Sequence, residues 1–177
     1  MNDVIVLDLE TQYLANEVGG WSRIRDMKLA VGVTYSPGEN VYRTYLEEDA
    51  QLLVAALRKA DRVIGYNLLR FDYEVLRPYT PDPLLDVPTV DMLDVIHRAL
   101  GRRVKLDDVA AATLGQGKSA DGIQAVRWFR QGQIEKVIDY CRRDVEVTWQ
   151  VYQFGRKNGY VQYRDRTWRT QRLPVRW

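Results

Sequence analysis

Asp8 and Glu10 stand two residues apart at the end of a short apolar, β-branched run, Val4-Ile5-Val6-Leu7. Side chains two apart on a strand share a face, so both carboxylates project together while Leu9 turns the other way. Carboxylates held close repel one another unless a cation lies between them, and hard oxygen donors suit Mg²⁺ or Mn²⁺. The pair alone fits equally a strand end running into a loop. Asp72 closes a second segment, Ile64-Gly65-Tyr66-Asn67-Leu68-Leu69-Arg70-Phe71-Asp72. Here a buried strand leads through a polar turn to a short helix opening at Phe71-Asp72. An acid at a helix start is also an ordinary partner of the helix dipole. Tyr140 and Asp144 form the third group. Four apart in a helical stretch, phenol and carboxylate lie one turn apart on one face. Cys141 and Val145 face the core on the neighbouring side. A surface Tyr and Asp on an amphipathic helix would have the same spacing.

Periodicity defines the strands and helices that carry these groups. Residues 4–7 read as a buried strand, residues 29–35 as a second, and residues 41–45 as a third after the turn cluster Ser36-Pro37-Gly38-Glu39-Asn40, which together predict an antiparallel meander. Residues 48–60 place Leu52, Leu53, Ala56 and Leu57 on one helical face. Residues 62–66 read as a strand, and a strand after a crossover helix usually runs parallel to a neighbour. From residue 89 onward the pattern is helical: residues 90–100 ended by Gly101, residues 106–114 ended by Gly115, residues 120–131, and residues 134–154, with Gly155 and Gly159 closing the last. The tail, residues 160–177, reads as a small hairpin. The expected architecture is an α/β domain with one mixed central sheet flanked by helices.

Bulk properties bound the chemistry. A chain of 177 residues suits one domain, and 46% hydrophobic residues suffice for a core. No apolar run approaches the ~20 residues of a membrane span. The N-terminus lacks the basic region of a signal peptide. Cys141 is the single cysteine, which rules out an internal disulfide and points to a reducing, cytoplasmic compartment. With His97 the single histidine, Cys-rich and His-rich metal sites are excluded. Net charge is +2 but uneven: from Arg156 to Trp177 there are seven basic residues and one acid, net +6, leaving −4 on the other 155 residues. A basic end suggests a polyanionic partner, with a solvated tail as the bland alternative. Trp168 and Trp177, interleaved with Arg166, Arg169 and Arg176, suit either stacking on bases or packing of a hairpin.

Other signals are weaker. Gly117-Lys118-Ser119 has the end of a phosphate-binding loop, but Ala112 stands where that motif needs glycine, and a helix rather than a strand precedes it. A nucleotide triphosphatase is rejected, although Lys118 remains a candidate phosphate contact. Asp91 and Asp94, three apart on the expected helix, read as solvated, and His97 as structural or exposed.

Taken in order, Asp-x-Glu on the first strand, Asn-x-x-x-Phe-Asp after a later strand and Tyr-x-x-x-Asp in a late helix resemble the DEDD family of exonucleases. The last motif is similar to that of the tyrosine branch. The histidine branch places histidine five residues before the last acid, where this chain has Asp139. The Asn-x-x-x-Phe-Asp form is further similar to the proofreading exonuclease of family B DNA polymerases and to small helicase-associated domains related to it. The resemblance runs from about residue 4 to residue 160. It implies an RNase H-like fold over residues 1–160, with residues 161–177 as a basic aromatic segment packed on the same domain.

It also implies 3′→5′ exonuclease activity with two Mg²⁺ or Mn²⁺ ions. Asp8 would bridge both, Glu10 and Asp144 would hold the one that binds the attacking water, and Asp72 the other. Tyr140 would orient that water. Asn67 and Phe71 would touch the terminal nucleotide, with a core position the alternative for Phe71. The implied partner is nucleic acid, single-stranded DNA before RNA, together with a helicase or other repair or replication protein, and no membrane. Two other readings stand beside it: an exoribonuclease or structure-specific nuclease on the same fold, and a catalytically silent nucleic-acid-binding module. Intact Asp8, Glu10, Asp72, Asp144 and Tyr140 argue against silence. A structural domain with incidental acids would hold no ion between Asp8 and Asp144.

Overall fold

The computed structural model describes residues 3–116 and 121–177. Strand β1 (Val4–Thr11) is the middle of a five-stranded sheet of order β3-β2-β1-β4-β5. Residues 4–7 are apolar on both faces because both faces are covered. Ile5, Leu7 and Leu9 pack with the residues of helix α1 (Ala50–Lys59), Leu53 and Leu57. Val6 packs on the opposite face with Val137, Cys141 and Val145. Strand β2 (Leu29–Ser36) pairs antiparallel with β1, and β3 (Val41–Leu46) antiparallel with β2, which is the expected meander. After α1, strand β4 (Arg62–Gly65) returns parallel to β1. The chain therefore adopts the expected α/β architecture, one mixed central sheet flanked by helices.

The second half begins with helix α2 (Tyr73–Leu76) and strand β5 (Thr89–Asp91), then α3 (Met92–Leu100), α4 (Leu106–Leu114), α5 (Gly122–Arg130) and α6 (Ile134–Asn158). A hairpin, β6 (Tyr160–Arg164) and β7 (Thr170–Pro174), packs on α4 and α6. No helix among the described residues is long and apolar enough to cross a membrane.

Four local features differ from the periodicity. Residues 89–91 form an edge strand parallel to β4, and α3 starts at Met92 because the Asp91 carboxylate accepts the Leu93 and Asp94 amides at its start. Residues 68–72 form one turn of π-helix, Leu68–Asp72, so the chain is already helical before Asp72, which both ends the widened turn and opens the short helix α2. Residues 15–26, which carry no periodicity, hold two 3₁₀ segments, Ala15–Glu17 and Trp21–Asp26.

The fourth difference is Gly155, which lies inside α6 and does not end it. The Trp177 ring occupies the space a Cβ would need there, stacks on Tyr152 with centroids 6.3 Å apart, and donates its indole N–H to the Tyr152 carbonyl at 3.0 Å. An exposed mid-helix Gly→Ala exchange gains about 1 kcal/mol of helix propensity. Here overpacking, about 1–3 kcal/mol, wins. Gly155→Ala is expected to lower stability in urea unfolding, whereas the same substitution on a Trp177→Ala background is neutral or stabilising.

Candidate metal centre

Strand β1 runs past its parallel neighbour. It pairs with β4 only from Val4 to Val6, but with β2 from Val6 to Thr11. Asp8 and Glu10 sit on this overhang, on the face that Val6 turns toward α6. Beyond the end of β4, the backbone at Leu9 lies close enough to Asp72 to favour its charged form.

Helix α6 brings the third group to the same place. One carboxylate oxygen each from Asp8, Glu10 and Asp144 lie within 4.8 Å of one another. Tyr140 lies close to Asp144, whose charge acts on its hydroxyl, and its ring meets Trp128 edge-on, centroids 6.3 Å apart. The i, i+4 spacing thus places phenol and carboxylate together at the cluster. Cys141 is fully buried, and its thiol contacts the Asp8 carbonyl at 3.2 Å and the Asp8 Oδ2 at 3.4 Å. Its contact with Asp8 is a feature that the helical spacing alone did not reveal.

Asp72 stands outside the tight group of three but lines the same cavity, of about 630 Å³, as Asp8 and Glu10. It is 2% exposed, and its Oδ1 has no hydrogen-bond partner among the described residues. A dry carboxylate oxygen without a donor is costly unless a cation or water completes it. Asp72 reaches this position through an unusual turn. Gly65 ends β4 where a Cβ would come within 2.5 Å of the folded-back Leu68 side chain. Asn67 is left-handed, φ 74°, a conformation asparagine tolerates.

Asp91 holds that turn, and here the sequence reading needs correction. Asp91 is not a solvated helix residue: it is 5% exposed, at the end of β5. It accepts four backbone amides, from Asn67 at 2.8 Å, Leu69 at 3.0 Å, Leu93 at 3.0 Å and Asp94 at 3.3 Å. One carboxylate therefore ties the turn carrying Asp72 to the start of α3. An Asp just before the apolar helical run was the available sign of a cap. Asp94 is half-buried and pairs with Arg98 at 2.7 Å.

The remaining candidates are spread out. Phe71 is half-buried on the cavity wall, its ring 6.5 Å from that of Trp21. The Asn67 side chain accepts from Arg103 at 2.5 Å. Arg166 and Arg169 are exposed around the β6–β7 turn and do not line the cavity of the acids. Trp168 on that turn is 78% exposed, while Trp177 is packed. Lys118 lies outside the described residues.

Burial and mutual repulsion set the electrostatics. The Asp8 carboxyl is pushed well above the ordinary range by burial first, then by Asp144, Glu10 and Asp72, with the Cys141 thiol opposing. Glu10 is raised by burial, Asp144 and Asp72. Asp72 is raised by burial and Asp91, against the pull of backbone amides. Burial also raises the Tyr140 phenol and the Cys141 thiol, with the same acids adding to it. Clustered oxygens that are expensive to ionise together fit a divalent cation, which needs hard negative donors and removes the repulsion. Asp8, Glu10 and Asp144 could hold one ion, and Asp72 has a spare oxygen for another.

Without metal, the folded protein binds more protons than the unfolded chain between the ordinary carboxylate range and the raised values. Stability therefore falls as pH rises through the raised values. In chelator, the melting temperature is expected to drop between pH 5 and pH 8 more steeply for the native chain than for Asp8→Asn. Mg²⁺ or Mn²⁺ should raise it most at pH 8. Equal slopes for both proteins in thermal unfolding would contradict the assignment.

A sequence model of the RNase_H superfamily, RNase_H_2, matches residues 5–154. No curated relative matches the chain. The matched span includes all five strands of the sheet and α6 as far as Phe154, hence every acid of the cluster. The chain belongs to the RNase H superfamily.

Proposed function

We propose that the chain is a metal-dependent 3′→5′ exonuclease of the tyrosine-branch DEDD type, acting on single-stranded DNA in a reducing, cytoplasmic compartment. Membership of the superfamily implies a nucleic-acid substrate and phosphodiester hydrolysis. The finer reading is supported by one observation: Tyr140 stands beside Asp144 at the edge of the group formed by Asp8, Glu10 and Asp144, close enough that all three acids push its phenol upward. Buried Asp72 on the same cavity supports it.

In this reading Asp8, Glu10 and Asp144 would hold one divalent ion, and Asp72 would help to hold a second. When bound, such a pair stabilises the entering and leaving oxygens of an in-line displacement at phosphorus. The protein's own groups do the positioning. Tyr140, held protonated by its surroundings, acts as a hydrogen-bond donor that orients the attacking water rather than as the base that deprotonates it. The Cys141 thiol fixes the Asp8 side chain. Asp91 fixes the turn that carries Asp72. Water adds to the terminal phosphorus as the bond to the preceding 3′ oxygen breaks, which releases a nucleoside 5′-monophosphate and a shortened strand with a 3′-hydroxyl. Arg166 and Arg169 on the hairpin add sequence-independent attraction for the strand, and a helicase or other repair or replication protein is the partner class this reading carries.

The test is digestion of 5′-labelled single-stranded DNA and RNA with Mg²⁺, Mn²⁺ or chelator. A ladder shortening from the 3′ end, metal-dependent and faster on DNA, is expected. Cutting of circular single strands would overturn the exonuclease reading in favour of an endonuclease. Binding without cleavage in either metal would leave a silent nucleic-acid-binding module.

A further inference from the structure

A second cavity of about 600 Å³ abuts the one that holds the acids, and Trp21 and Phe71 form the wall they share. Its chemistry is the opposite of its neighbour's. Arg70 and Arg103 line it, and its acid, Glu74, is paired with Arg25 at 3.1 Å. Arg103 is aimed there by local structure. In the segment 103–105, Val104 turns into the core, 5% exposed, and its carbonyl is held by the Tyr66 hydroxyl at 2.6 Å. Side chains either side of an inward residue in extended chain point outward. Arg103 accordingly lines the basic groove, and Lys105 lines the cavity of the acids. The neutral oxygen of Asn67 steadies the Arg103 guanidinium without cancelling its charge.

The wall itself is unusual for a folded surface. Trp21 is 70% exposed, with its ring tilted 57° to that of Phe71. A large aromatic left this open contributes little to the core, but it offers a face on which a base can stack. Phe71 is the residue immediately before Asp72 in the chain. A base resting on this wall is therefore next to the carboxylates, and the neighbouring backbone reaches Arg70 and Arg103.

We propose that this groove binds the single-stranded polynucleotide beside the acids, with a base on Trp21 and Phe71 and phosphates on Arg70 and Arg103. The proposal takes from the nuclease reading only the position of the cleaved bond; binding itself does not depend on it. DNA and RNA share the phosphate and base chemistry used here, and separate arms of the experiment rank them.

The experiment measures anisotropy of labelled dT12 and rU12 in chelator, where metal-dependent hydrolysis is off, across a salt series. Trp21→Ala should weaken binding of the preferred oligonucleotide about 5- to 150-fold, and Trp21→Phe should recover most of it. Arg70→Ala and Arg103→Ala should each lower the salt slope by about 0.7. Lys59→Ala, an exposed cation on a different groove, should leave the slope unchanged. Trp21 is exposed, so melting temperatures should match and a folding defect is readily recognised. Failure of the native protein to bind either oligonucleotide, or native-like binding by Trp21→Ala and both arginine variants, overturns the groove. Loss of binding in these variants of a protein that never cleaves keeps the groove and removes the nuclease reading. Cleavage by a protein indifferent to all three substitutions does the reverse.

Discussion

Asp8→Ala is expected to remove cleavage below detection in saturating Mn²⁺, whereas Tyr140→Phe should retain a measurable rate, about 10²- to 10⁴-fold reduced. The contrast follows from where the two side chains stand. Asp8 is the acid on which Asp144, Glu10 and Asp72 all act through space, so removing it dismantles the cluster. Tyr140 touches the cluster through its hydroxyl alone, and phenylalanine keeps the ring against Trp128. Loss of activity in Asp8→Ala is not a loss of fold. In chelator its melting temperature should hold or rise, because relieved repulsion outweighs one weak thiol contact. Single-turnover release of a 3′-terminal nucleotide is the deciding measurement. Near-native cleavage by Asp8→Ala would defeat the mechanism proposed above.

Asp91→Ala is expected to lower stability by roughly 3–5 kcal/mol and to take most of the activity with it. Four amides lose their acceptor at once, two in the turn that carries Asp72 and two at the start of α3. Asp91→Asn separates the two effects. It keeps the oxygen equivalent to Oδ1, which serves Asn67, Leu93 and Asp94, and loses the acceptor of the Leu69 amide. It also removes the negative charge that pushes Asp72 upward. Stability should fall less, and Asp72 should ionise more readily. Metal titration followed by calorimetry should then show fewer protons released per ion bound at neutral pH than in the native chain. An alanine variant as stable as the native protein in urea would show that Asp91 is dispensable to the turn.

Much of this arrangement was legible in the sequence because it depends on short periods. A spacing of two put Asp8 and Glu10 on one face of a strand, and a spacing of four put Tyr140 beside Asp144 on a helix. The antiparallel meander followed from alternation and a turn cluster. What stayed hidden depends on contacts between distant parts of the chain, or on elements too short to show a period. Strand β5 has three residues, so Asp91 read as the first turn of a helix. The widened turn at residues 68–72 has no apolar repeat to announce it. Cys141 reaches Asp8 because α6 lies across β1, and Trp21 sits in 3₁₀ turns with no regular pattern. Gly155 was read as a helix end from its low propensity, and Trp177 overrides that reading by filling the space where a side chain would go.

The scattered origin of the acids has a kinetic side. Cys141 meets Asp8 across 133 positions of the chain, and Asp72 comes from a third region between them. Contacts of such high separation form after the loops between them have closed. A divalent ion at this cluster would consequently meet these carboxylates together only once β1, the turn and α6 have docked. It would stabilise the native state by mass action without helping the chain to reach it. Bound ions should therefore lengthen the lifetime of the folded protein by slowing unfolding, and leave the rate of refolding nearly unchanged.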